Sequence, residues 1–101
     1  MPAAGKTTIA HAVERRLVDA GRVTVVLDGD RIRQGLCADL GFSPTDRREN
    51  IRRAGELARM LFEQGVIVLC AFVSPYRDDR ARVRALFPAG RFIETFVKAD
   101  V

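Results

Sequence analysis

Apolar positions along this chain fall into two alternating patterns. Ile9, Val13 and Leu17 recur at helical spacing, with Ala10 and Ala12 between them, and Gly21 stands where a C-cap would close a helix. Val23-Thr24-Val25-Val26-Leu27 is then a β-branched apolar run, predicting a strand buried on both faces and ending in Asp28-Gly29-Asp30. Arg31 to Leu36 reads as a short helix and Asp39 to Thr45 as a loop holding Gly41 and Pro44. Asp46, with Glu49 three residues on, predicts the N-cap of a longer helix. That helix carries Ile51, Ala54, Leu57, Ala58, Leu61 and Phe62 on one face, and Gly65 stops it. Val66 to Phe72 is a second apolar strand, broken by Ser74-Pro75. Arg77 to Leu86 reads as a helix stopped by Pro88 and Gly90, and Phe92 to Val97 as a third strand.

Strands alternating with helices imply an α/β fold, a parallel sheet with right-handed crossovers. Ligands of such sheets bind beyond the carboxyl ends of the strands, which is where Asp28, Asp30 and Ser74 fall. The first residues add a phosphate site to that edge. Ala4-Gly5-Lys6-Thr7 is the closing half of G-x-x-x-x-G-K-[ST], a loop whose backbone amides and following helix surround phosphates. The lysine of that pattern reaches the terminal phosphates, and the hydroxyl after it ligates magnesium. The opening glycine would fall one residue before Met1. The fold expected is therefore a three-layer P-loop NTPase-type parallel sheet with flanking helices, incomplete because the first strand, which such a loop normally follows, is missing. Each buried backbone group left without its strand partner would cost about 1–3 kcal/mol, so the isolated chain is expected to be unstable and inactive.

Composition narrows the function classes. The chain has 101 residues, 48% hydrophobic and 30% charged, enough for one small globular domain. Its formal charge of +4 suits an anionic partner. Only Lys6 and Lys98 are lysines, so the positive charge is almost entirely arginine, the side chain suited to bidentate recognition of phosphate or sulfate. No aromatic-rich basic stripe argues for nucleic acid. No apolar run approaches a membrane span and no signal-peptide layout is visible, so a cytoplasmic protein is expected. Cys37 and Cys70 sit in apolar company and are read as buried free thiols.

Several residues could do chemistry at the strand ends. Asp28 and Asp30 lie two apart, so an extended chain would point both the same way, and Gly29 would let the backbone bend or approach closely. Two carboxylates beside a phosphate loop can orient magnesium through water and take a proton from an attacking hydroxyl; alone, they would be an ordinary Asp-Gly turn. Arg33 follows three residues later. Arg47 and Asn50 are spaced to share a helical face at that helix's first turn, as are Asn50 and Arg53. Arg48 and Arg59 read as solvated surface charges. Phe42, among polar neighbours, is either a core anchor or an aromatic face for a purine. Ser74 could bind substrate, act as a nucleophile or cap the next helix, and His11 is read as structural.

The chain resembles the adenylylsulfate kinase family. The likeness rests on Gly5-Lys6-Thr7-Thr8, on Leu27-Asp28-Gly29-Asp30 with Arg33, and on Asp39-Leu40-Gly41-Phe42-Ser43. It continues through Asp46-Arg47, Glu49-Asn50-Ile51-Arg52-Arg53 and Ala71-Phe72-Val73-Ser74-Pro75-Tyr76-Arg77. The first blocks are shared with gluconate and shikimate kinases; the later ones are far more specific. Residues 1–101 are thus expected to form a partial adenylylsulfate kinase-like P-loop domain, without the C-terminal lid region that the resemblance implies. The resemblance implies transfer of the ATP γ-phosphoryl to the 3′-hydroxyl of adenylylsulfate in sulfate assimilation. Gly5, Lys6, Thr7 and Thr8 would hold ATP, with Thr7 and Asp28 serving Mg2+. Lys6, Asp30 and Ser74 would be catalytic, Asp30 activating the hydroxyl and Ser74 binding first of all. Phe42 would stack on the adenine, and Arg33, Arg47, Asn50, Val73 and Ser74 would hold the rest of the substrate near Asp28. A homodimer or association with ATP sulfurylase is the macromolecular partnership it implies. The competing readings are a non-catalytic nucleotide-binding fragment and another small-molecule P-loop kinase.

Overall fold

The computed structural model describes residues 3–72 and 77–92, with side chains from residue 8 onward. The expected third strand and the Val73–Tyr76 segment lie outside the described residues. Six elements follow in order: α1 (Ala3–Asp19), β1 (Thr24–Asp28), α2 (Gly29–Gln34), α3 (Pro44–Glu63), β2 (Ile67–Ala71) and α4 (Arg77–Arg84). β1 and β2 are parallel, paired from Thr24 with Ile67 to Asp28 with Ala71. α1 packs on both strands, α3 on β2 and α4 on α3, so helices flank a parallel sheet as expected.

The two long helices stop in the same way. Gly21 and Gly65 both adopt left-handed φ, 83° and 84°, a conformation open to glycine at no steric cost. Gly21 N–H then bonds Val18 O and Arg22 N–H bonds Leu17 O. Gly65 and Val66 repeat this with Phe62 and Leu61. Each is a Schellman cap, and each delivers the chain to a strand, β1 beginning three residues past Gly21 and β2 two past Gly65.

Three expectations need correction. The helix placed after the phosphate loop begins already at Ala3, so Gly5 to Thr8 lie within its first turns and not in a preceding loop. Its apolar positions are also poorly covered: Ile9 is 46% and Val13 41% exposed, while Leu17 is half-buried. The strands are not buried on both faces either. Leu27 is buried, its neighbours in β1 are half-buried and Cys70 in β2 is exposed. With two strands among the described residues each strand is an edge, and an edge cannot be covered on all sides.

The core gathers under α3. Ile51, Ala54, Gly55 and Ala58 face inward from it, close to the face that the periodicity predicted. Gly55 is where α4 comes nearest: a Cβ there would lie 3.0 Å from Val83 Cγ2 and 3.3 Å from its Cγ1. Past α4, Phe87 meets Phe62 edge-on at 5.3 Å between ring centroids, and Phe92 at 5.6 Å. Asp79, only 3% exposed, takes Arg48 Nε at 3.3 Å and Arg82 Nη1 at 3.0 Å. Arg48 is therefore a tie between α3 and α4 and not the merely solvated charge expected of it.

Replacing Gly55 by Val would force β-branched methyls into the α3–α4 contact. Overpacking of this kind costs about 1–3 kcal/mol. Urea unfolding of Gly55→Val is expected to show a lowered midpoint of that size, and an unchanged midpoint would mean α4 does not rest on Gly55.

Candidate active site

The end of β1 is the first part of the site. Asp28 is the N-cap of α2, with extended backbone (φ −95°, ψ 128°), and its Oδ1 accepts the Asp30 N–H at 3.0 Å. The chain turns helical at Gly29, so Asp28 and Asp30 do not alternate as in a strand. Asp30 instead sits exposed in the first turn of α2, and Asp28 is half-buried beneath it. Gly29 is needed for close approach, not for an unusual φ. A Cβ on it would lie 3.2 Å from Phe72 Cδ1 and 3.3 Å from Ala71 O, the exit of β2. The two strand ends are thus pressed together under the acidic pair. Beside them an open cleft of about 380 Å³ runs between α1 and α2, lined by His11, Leu27, Asp28, Arg31 and Leu36 among others. His11 bonds Glu14 at 2.9 Å on the same helix.

The second part is an aromatic arm carried between α2 and α3. Phe42 is 67% exposed, which excludes the core-anchor reading. The Arg33 guanidinium carbon stands 4.4 Å from the ring centroid and that of Arg47 5.6 Å, both over the ring, where cations are attracted to the π-cloud. The same arginines bind the arm's backbone, Arg33 Nη1 to Gly41 O at 3.2 Å and Arg47 Nε to Phe42 O at 2.9 Å. Asp46 Oδ2 accepts the Gly41 N–H at 2.7 Å. Asn50 follows Arg47 by three residues, is 5% exposed, and its Oδ1 is buried with no hydrogen-bond partner.

The cap of α3 differs from the expected one. Ser43 is the N-cap, its Oγ accepting the Asp46 N–H at 3.1 Å, and Pro44 begins the helix. Proline suits that place because its φ is already helical and no amide is needed there. Arg47 consequently lies just past the first turn, and Asn50 a turn further on.

The described residues thus hold an acidic pair on a strand end and an exposed phenylalanine under two guanidiniums. A family model described as Adenylylsulphate kinase matches residues 1–101. The chain belongs to the adenylylsulphate kinase family. An adenylyl-sulfate kinase from Geotalea daltonii is 61% identical over 97 residues, covering 96% of this chain and 48% of that relative. One from Vibrio parahaemolyticus is 58% identical over 98 residues, again 97% of this chain and 48% of the relative. The chain thus spans about half the length of the curated relatives it matches. Among solved structures, the Mycobacterium tuberculosis APS kinase CysC in complex with AMPPNP and APS aligns with a TM-score of 0.80 at 44% identity, over 85% of this chain and 50% of that one.

Within this family member the described residues bring Arg33, Phe42 and Arg47 into contact, while Asp28 and Asp30 pair with each other at the end of β1 and Asn50 lies buried in α3. Thr8 is exposed on α1, whereas the side chains of Gly5, Lys6 and Thr7, and all of Val73 and Ser74, lie outside the described residues. Among the described residues no group of three or more His, Cys, Asp or Glu side chains is placed to hold a metal ion. No described helix is long and apolar enough to cross a membrane.

Sequence reasoning missed the brace behind the arm. Arg53 donates to Asp39 through Nη1 at 2.7 Å and Nη2 at 3.1 Å, to Leu36 O at 3.0 Å, and through Nε to Glu49 at 2.9 Å. Arg52 adds a bidentate pair to Glu49, both bonds 2.7 Å. Its signal was the Glu49…Arg52-Arg53 spacing, but Asp39 is 14 residues away from Arg53 and no local rule joins them. Hydrogen bonds from Arg52, then Arg53, hold the Glu49 carboxyl down at about 2 against its ordinary 4.5. Arg53 likewise lowers Asp39. Under this brace Cys37 is fully buried, its thiol 3.9 Å from Asn50 O, and burial pushes its pKa up.

These shifts give a pH dependence with a definite sign. Because the folded-state value of Glu49 is the lower one, the unfolded chain takes up the proton first as pH falls. The stabilisation is complete above about 4.5 and is lost as pH falls toward about 2. Thermal unfolding followed from neutral pH down through this window is expected to show a falling midpoint, and Glu49→Gln should flatten that acid limb. A limb unchanged in the variant would remove Glu49 as its source.

Proposed function

We propose that this chain carries the phosphate-binding and adenylylsulfate-binding portion of an adenylylsulfate kinase. The reaction is transfer of the ATP γ-phosphoryl group to the 3′-hydroxyl of adenylylsulfate. The observation that carries this reading is Phe42, an exposed ring held beside Arg33 and Arg47. An aromatic face next to two guanidiniums matches a purine bearing an anionic phosphosulfate, since guanidinium pairs bidentately with such oxyanions. Gluconate and shikimate offer no aromatic ring to stack. The M. tuberculosis relative, solved with AMPPNP and APS, supports the same pair of ligands.

In this reading the exposed Asp30 carboxylate takes the proton of the 3′-hydroxyl as its oxygen attacks the γ-phosphorus. The bond from that phosphorus to the β-phosphate bridging oxygen breaks, and ADP leaves with the electron pair. Direct in-line transfer needs positioning and charge stabilisation more than covalent chemistry. Lys6 supplies charge at the transferred group, and Gly5, Thr7 and Thr8 line the phosphates. Asn50 offers its buried Oδ1 as an acceptor for a substrate hydroxyl. Val73 and Ser74 complete the substrate side, with Ser74 a binding residue. Magnesium is held through few carboxylates and usually keeps several waters, so one hydroxyl and one carboxylate suffice on the protein. Thr7 and the half-buried Asp28 are the residues to hold it, and when bound it neutralises phosphate charge. The protein would act in the cytoplasm. Self-association finds support in a hexameric APS kinase from Thiobacillus denitrificans, 43% identical, covering 82% of this chain and 17% of that one with a TM-score of 0.75; association with ATP sulfurylase is the other partnership proposed.

ADP release dependent on adenylylsulfate tests this, on the chain and on a form carrying the flanking lengths found in its relatives. Asp30→Asn is expected to lower turnover at least ~100-fold, the usual loss for a general base, while leaving adenylylsulfate binding within a few-fold. Turnover of gluconate or shikimate in place of adenylylsulfate would overturn the assignment.

A further inference from the structure

Phe42 raises a mechanical question, since a ring so exposed is not located by packing. Its arm is held instead by three backbone hydrogen bonds: Arg33 donates to Gly41 O, Arg47 donates to Phe42 O, and the Gly41 N–H donates to Asp46. Two of those partners are the cations that the proposed function assigns to the substrate's anionic end. A guanidinium that turns to a phosphosulfate loosens its hold on the carbonyl, because an oxyanion adds opposite charge and bidentate geometry that a neutral carbonyl lacks. The third tie is different. Asp46 is an anion, has no use at an anionic substrate, and makes the shortest of the three bonds, 2.7 Å.

The surrounding geometry is built to this bond. Ser43 Oγ caps the Asp46 amide, which fixes where the side chain starts. A Cβ on Gly41 would stand 3.3 Å from Asp46 Oδ2, so a side chain there would push the carboxylate back by a few tenths of an ångström. Asp46 is thus seated at one end of a two-residue span whose other end is the ring.

We propose that Asp46 is a positioning residue for substrate binding: it keeps Phe42 in place while Arg33 and Arg47 exchange the arm's carbonyls for the substrate's anionic groups. This rests on the function proposed above. Asp46 touches no substrate and acts through Gly41 and Phe42.

Adenylylsulfate binding to the protein, measured by calorimetry, is the test, with Asp46→Ala, Asp46→Asn, Phe42→Leu and the double variant Asp46→Ala/Phe42→Leu. Losing a hydrogen bond to a charged group corresponds to about tenfold or more in an equilibrium. Asp46→Ala is expected to weaken adenylylsulfate by that factor and to leave ATP affinity unchanged. Asp46→Asn, which keeps an acceptor oxygen, should recover most of the loss. The double variant should be little worse than Phe42→Leu alone, since both act through one ring. Amide exchange gives a readout independent of ligand: Gly41 and Phe42 should exchange about tenfold faster in Asp46→Ala, with the Leu61 amide unchanged. Additive losses in the double variant, or an equal loss of ATP affinity, would overturn the proposal. So would exchange rising throughout α3, which marks a purely structural role. If wild type binds ATP but no adenylylsulfate, the proposed function falls, and with it Asp46's part in substrate binding; exchange then still decides whether Asp46 holds the arm.

Discussion

The site stands on the guanidinium of Arg53. From the middle of α3 it reaches back to Asp39 and Leu36 and sideways to Glu49, tying the connection between α2 and α3 to the helix that follows it. Without that tie the segment from Gly35 to Ser43 would have few anchors of its own, because its turns are short and its best-buried side chain is Cys37. Planar, multiply donating and permanently charged, arginine can satisfy two carboxylates and a carbonyl at once; a lysine would present one compact charge without the fork. The proposed substrate-side residues Phe42 and Arg47 are carried next to this braced corner.

The rest of the architecture serves to bring that corner to the strand ends. Helix, Schellman glycine and strand are repeated twice, at α1–β1 and α3–β2, and the two strands pair in parallel register. Both strands are five residues long and pair from their first residues, so the ends of β1 and β2 coincide, Asp28 beside Ala71. The acidic pair is then one helical step from Arg33, and Arg33 is beside Phe42. Backbone pairing in register thus sets the two strand ends side by side.

What could be read in the sequence follows the range of the interactions involved. Gly21 and Gly65 announced themselves because a helix stop is local, and the apolar face of α3 did so through its period. The start of α3 was misplaced because Asp46-x-x-Glu49 and Ser43-Pro44 are both credible beginnings; the Gly41 amide, drawing off the Asp46 carboxylate, decides between them. Asp28 and Asp30 were assigned to an extended chain because nothing in Leu-Asp-Gly-Asp says that the helix begins at Gly29. Arg48 looked solvated because its partner, Asp79, is 31 residues away. Phe42 could not be assigned to core or surface until the positions of Arg33 and Arg47 were known. Strand burial was overestimated for a related reason: an apolar run records how a strand can be covered, not how many neighbours stand beside it.

The contact between Gly29 and the exit of β2 bears on how such a sequence can change over evolutionary time. The acidic pair and the path of the chain out of β2 are usually thought of as separate traits, one chemical and one architectural. Here a single missing methyl group joins them. A side chain at position 29 would have to move Phe72 or the Ala71 carbonyl by a few tenths of an ångström, and with them the direction in which the chain departs toward its next segment. Substitutions at 29 and 72 are therefore expected to occur together or not at all across related sequences, and a designer who wished to redirect one would inherit the task of rebuilding the other.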